Sequence, residues 1–351
     1  MTQHSKQQGL SLVELLVALA LSSFLLLGLF QIFNSNSQAF NLQGGVARVQ
    51  ESGRISMEFL SRGVRAAAFL GCASGDASSP FTNGADTSEF SNVAFRNELI
   101  RFNGDNGITG FDNVTGAVTT LNNMGLSVGT GAQQIVSGTD VFIVHGAESC
   151  GLSVTASDAT SITVPNASSC DIATNDLVIV SSCARAELFS ITSDPTATNV
   201  LNHGTSHNNS ANFADDIYDP DGSYLYLPTI TAYHVGNTAD GGRALFMTQI
   251  NRSGETSSFS TQEIAEGVED MQVLYGEDTN DDGTANRYVA ADDVSDFLNV
   301  VAVRTRILTA SEDRTVAENQ TYNFNGTATT AADLRFYVPY ETTNTIRNRL
   351  K

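Results

Sequence analysis

The stretch from Gly9 to Phe33, GLSLVELLVALALSSFLLLGLFQIF, limits what this chain can fold into more than any other. From Leu10 to Ala47 the only charged residue is Glu14. Leu15 to Phe33 is long enough to cross a hydrocarbon core as one helix. It is longer than the apolar region of a secretory signal and lacks the small-x-small pattern after it, so a conventional signal peptide fits poorly. A carboxylate early in an apolar helix costs about 3 kcal/mol at membrane depth unless it finds a partner. Glu14 is therefore expected to have a use.

Cutting after Gly9 makes Leu10 the first residue, Ser11 the second and Glu14 the fifth. In that order Gly9, Leu10, Ser11 and Glu14 resemble the type IV pilin signal position for position. Leu10 stands where that family usually has Phe. Gln31 stands where many members have Pro, a departure commoner in minor pilins and pseudopilins. The resemblance implies a leader at residues 1–9, cleavage by prepilin peptidase between Gly9 and Leu10, and N-methylation of Leu10. It also implies inner-membrane insertion through residues 10–33, with a periplasmic domain that later joins a pilus at the cell surface. Glu14 then has its partner: the freed amine of one subunit can sit beside a neighbour's carboxylate inside the apolar filament core. Low dielectric strengthens that attraction, and pairing offsets the cost of burying both charges.

Beyond the polar NSNSQAF segment the helix is expected to continue to about Leu70. Leu42, Val46, Val49, Ile55, Phe59, Leu60 and Val64 recur near helical spacing, with Arg and Glu on the other faces. This second half is amphipathic and can lay one stripe on a sheet. Gly44, Gly45, Gly53 and Gly63 each weaken it by about 1 kcal/mol relative to Ala.

From Gly71 onward the texture changes to loops and short strands, with 13 basic against 35 acidic residues. Loss of the leader removes Lys6 and takes the net charge from −20 to −21. Such a surface repels nucleic acid as a bulk ligand and attracts cations or basic partners. Cys72, Cys150, Cys170 and Cys183 are an even set in a region expected to face an oxidising compartment, which favours two disulfides. Three pairings are open. Cys150 and Cys170 flank a strand-turn-strand stretch, which favours joining them and leaves Cys72 with Cys183. No C-x-x-C occurs, so zinc is disfavoured.

Strands are expected at Asp140–Gly146, Ser161–Pro165, Asp176–Ser182, Ala186–Thr192, Tyr224–Gly236, Ala244–Arg252 and Met271–Gly276. Two longer ones are expected at Phe297–Ala310 and Leu334–Glu341, and earlier ones at NVAFR and LIRF; 193–223 reads as a polar surface loop. In this half EGVEDMQVLYGEDTNDDGTANRYV, NVVAVRTRIL and the terminal TNTIRNRL look like PilW-type minor pilins, as does CARAELFSIT from Cys183. That resemblance implies a subunit near a pilus tip that helps initiate assembly with other minor and major pilins. Secretion-system pseudopilins of the J type share several of these features. A membrane-anchored periplasmic binding protein is the third reading.

Asp278, Asn280, Asp282, Thr284 and Asn286 follow the first half of an EF-hand-like loop, with Gly283 at the sharp turn. The twelfth position is Val289 rather than Glu, so a Ca2+ loop and a bare acidic turn stand level. No G-x-S-x-G, Walker loop or H-E-x-x-H occurs, and His203 and His207 lie in a segment unsuited to a helix, so no enzyme is expected. The expected fold is α+β and type IV pilin-like. A helix over residues 10–70, half membrane-spanning and half amphipathic, packs on an antiparallel sheet carrying large insertions within 71–351.

Overall fold

The computed structural model describes residues 11–73, 81–86, 88, 107–214, 218–252, 254, 258–311 and 315–349. Gly9, Leu10 and the strands expected at NVAFR and LIRF lie outside these residues. One helix, α1 (Leu12–Ala66), runs through both halves of the N-terminal pattern. At 1.5 Å per residue its 55 residues reach about 80 Å. Every residue from Leu12 to Gly44 is exposed, whereas Val49, Gly53, Ser56, Leu60, Gly63 and Val64 are buried. That i, i+4, i+7 stripe is the face laid on the rest of the protein. Its end is fixed when Ala68, at φ 59°, turns the chain and donates its N–H to the His145 carbonyl.

The strands follow in chain order. First come β1 (Phe81–Asn83), β2 (Ile108–Val114), β3 (Thr139–Ser153), β4 (Ala156–Asp158) and β5 (Ser161–Thr163), with a one-turn helix α2 (Thr119–Asn123) before β3. Then come β6 (Leu177–Ser181), β7 (Ala186–Ser190), β8 (Val200–Asn202), β9 (Tyr224–Asn237), β10 (Arg243–Asn251) and β11 (Ser258–Glu266). The last are β12 (Val268–Glu277), β13 (Arg287–Val289), β14 (Val300–Ala310), β15 (Thr321–Phe324), β16 (Thr327–Thr330) and β17 (Tyr337–Thr345).

An eight-stranded sheet is built around β9, which has β3 along one edge and β6 then β10 along the other. Its pairings are antiparallel except β1 with β7. A four-stranded antiparallel sheet runs β13-β12-β14-β17. The helix stripe sits where the two sheets meet: Leu60 and Val64 share one core with Phe142 and Tyr233 of the large sheet and Val273, Val303 and Ile307 of the small one. The fold is α+β, a long helix against antiparallel and mixed sheets.

The segment 193–223 corrects the sequence reading. It contains β8, and it buries Leu201, His203, Phe213 and Tyr218 around Phe189 in a core shared with Ile162 of β5 and Val178 and Val180 of β6. Its polar side chains act as internal ties: the Asn208 amide accepts the Ser190 N–H and donates to the Ser190 carbonyl, as a strand would.

Candidate functional sites

Glu14 lies in the first turn of α1, the only acid there. Leu12, Leu16, Phe24, Phe30 and Phe33 of this half are between 57% and 76% exposed, so among the described residues this half of the helix has no partner. It is the one described helix long and apolar enough to cross a membrane. What holds the other half is shape. An added Cβ on Gly53 would collide with the Tyr340 ring of β17, and one on Gly63 would sit 2.7 Å from the Tyr233 hydroxyl of β9. Two of the glycines that cost helix propensity, Gly53 and Gly63, are thus the seats through which both sheets grip α1. A hydrophobicity pattern passes over them.

The four cysteines form two disulfides. Cys72 is bonded to Cys183, with Cα atoms 4.4 Å apart, tying the chain just past α1 to the β6–β7 turn. Cys150 is bonded to Cys170, with Cα atoms 5.5 Å apart, closing the end of β3 onto a short turn.

The 278–286 loop is organised by its first residue. Asp278 Oδ1 accepts the N–H groups of Asn280, Asp281 and Asp282, and Oδ2 accepts that of Gly283 at 2.6 Å. Burial works against this charge, but those donors hold the carboxyl below its ordinary range. Asp282 Oδ2 accepts from the Asn280 amide, its Oδ1 accepts the Thr284 N–H, and Asn286 Oδ1 accepts the Thr279 N–H. Among the described residues no three His, Cys, Asp or Glu side chains converge as a metal-binding group. The stem is fixed by Glu277, which sequence reasoning missed. Its buried carboxylate accepts from Arg287 across the β12–β13 pair, at 2.7 and 2.8 Å, and from the Ser295 N–H and hydroxyl. An acid and a base bracketing the loop at positions 277 and 287 was the available signal.

His203 and His207 have separate partners. His203 Nε2 faces Glu187 Oε1 at 3.3 Å inside the core, while His207 Nδ1 meets the Ser206 hydroxyl.

Residues 232–348 match the family described as Type IV Pilus-assembly protein W, and residues 4–30 match the prokaryotic N-terminal methylation motif. Comparison with curated proteins and with solved structures finds no match. The first match spans the end of β9, β10, β11 and the whole four-stranded sheet, and so includes both Tyr233 and Tyr340 against α1.

Proposed function

We propose that this chain, in which residues 232–348 match the family of Type IV Pilus-assembly protein W and residues 4–30 the N-terminal methylation motif, is a PilW-type minor pilin placed near the pilus tip, where it helps initiate assembly with other minor and major pilins. Pilins of this kind are processed by prepilin peptidase and held in the inner membrane by the apolar helix, with the domain in the periplasm, before they enter the filament. We place the cut between Gly9 and Leu10. The exposed half of α1 then joins the filament core, and Glu14 pairs with the amine of a neighbouring subunit, which sets the register between two smooth apolar surfaces.

The observation that carries this reading is the division of one continuous helix. Its domain packs on it from Gly45 onward and leaves Leu12 to Gly44 exposed among the described residues. The end position is supported by bulk: residues 107–231 add strands beyond the PilW-matched region, and an end subunit has fewer neighbours to accommodate them. Immunogold labelling of an epitope-tagged chain tests the placement. Label confined to one filament end supports it, and label along the whole length contradicts it.

A further inference from the structure

Asp140, at the start of β3, is 2% exposed and belongs to neither the assembly helix nor the 278–286 loop. It faces a bulge in β2, where the register shifts between Phe111 and Val114 and Asn113 adopts φ 45°. Asp140 Oδ1 accepts the Asn113 N–H at 2.8 Å. Its other oxygen crosses to the second sheet and accepts the Val273 N–H of β12 at 2.7 Å. That N–H lies on the edge of β12 beyond the reach of β13, whose pairing covers Tyr275 to Glu277. One carboxylate therefore caps an open strand edge of the small sheet from within the large one. Gln272 assists, donating its amide to the Gly138 carbonyl.

The groups facing this carboxylate are acidic or neutral. Asp112 of β2 lines the same cleft and is itself faced by Asp292 and Asp293 of the turn after β13. From β12 come Asp270, which Arg243 faces in turn, and Tyr275, whose buried hydroxyl has no hydrogen-bond partner among the described residues. Asp112, Asp140 and Asp270 line a cleft of about 530 Å³, together with Tyr322 of the β15–β16 hairpin, which gives protons a route in.

We infer that Asp140 is a proton-operated clasp: with its carboxyl protonated the two sheets are held together, and with it charged beside Asp112 and Asp270 the seam loosens. Burial, opposed by the two backbone donors and reinforced by Asp112 and Asp270, lifts the Asp140 carboxyl from 3.8 to about 7. A raised carboxyl means that the folded chain holds a proton the unfolded chain has lost. Stability from this group therefore falls as pH rises from about 4 to about 7 and is level above that. A subunit that passes from the periplasm to the cell surface would carry this sensitivity with it.

The test is melting temperature and amide hydrogen exchange of the detergent-solubilised full chain between pH 5 and pH 8, with exchange corrected for its intrinsic pH dependence. The wild type should melt several degrees lower at pH 8, and the Asn113 and Val273 amides should lose protection there. Asp140→Asn should abolish the slope. Asp112→Asn, which keeps the Asn113 and Val273 contacts of Asp140 and removes one charged neighbour, should reduce the slope and covers the case in which the first variant fails to fold. Equal protection of both amides at the two pH values, or a slope that Asp112→Asn leaves unchanged, overturns the clasp.

Discussion

The ring of Tyr340 on β17 occupies the space that a Cβ on Gly53 of the helix would need. Gly63, ten residues along α1, makes the same room for Tyr233 of β9. Two glycines thus receive one tyrosine from each sheet, and through them the domain is fixed on a helix whose other half belongs to the filament.

Substitution at these seats should destabilise. Gly53→Ala and Gly63→Ala each gain about 1 kcal/mol of helix propensity, but forcing a ring out of a packed site costs about 1–3 kcal/mol. The net expectation is a loss, read as a lower urea midpoint for the solubilised protein. Gly44→Ala is the control: an added Cβ there meets nothing within 4 Å, so it should gain about 1 kcal/mol.

The disulfides should differ in worth. Cys72–Cys183 closes a separation of 111 residues and Cys150–Cys170 one of 20. On chain entropy these contribute about 5 and about 3 kcal/mol respectively. Paired Cys→Ser replacement at 72 and 183 should therefore lower the unfolding midpoint more than the same change at 150 and 170.

Acid should weaken the stem of the 278–286 loop. Burial pushes the Glu277 carboxyl up, but Ser295 and the Arg287 guanidinium outweigh it and hold the group below its usual 4.5. A depressed carboxyl adds stability that is present above pH 4.5 and lost as pH falls below it. Glu277→Gln should remove part of that acid sensitivity. At neutral pH it should cost about 1–3 kcal/mol, because hydrogen bonds to a charged acceptor are lost. Thermal melts of both proteins from pH 3 to pH 7 check both statements.

Much of the architecture is legible in residue patterns, because burial on one face or on both leaves a local trace. The run whose only charge is Glu14 carries the first half of α1, and the runs YLYLPTITAYHVG and VVAVRTRIL carry β9 and β14. Polar edges leave no such trace. β11, SFSTQEIAE, packs at the rim of the large sheet with most of its side chains partly or wholly exposed, so nothing in its composition marks it as a strand. The β15–β16 hairpin did carry a signal, Asn325-Gly326, and both residues take the positive φ that a tight hairpin turn requires. Features made by distant segments are invisible in sequence. Asp140 meets Val273 across 133 residues, and Glu187 meets His203 only because an apparently polar loop folds inward.

Glu14→Ala should leave a processed, membrane-held chain with its disulfides formed, since among the described residues Leu12 to Gly44 of α1 are exposed. It should be absent from sheared filaments and reduce piliation. Recovery of the variant in filaments at wild-type abundance would remove Glu14 from the assembly account.

The most direct measurement is N-terminal sequencing of this chain from otherwise identical cells with and without prepilin peptidase. The account predicts a first residue of Leu10, five positions inclusive from Glu14, when the peptidase is present, and retention of residues 1–9 when it is not. A chain still beginning at Met1 in peptidase-positive, piliated cells would contradict it.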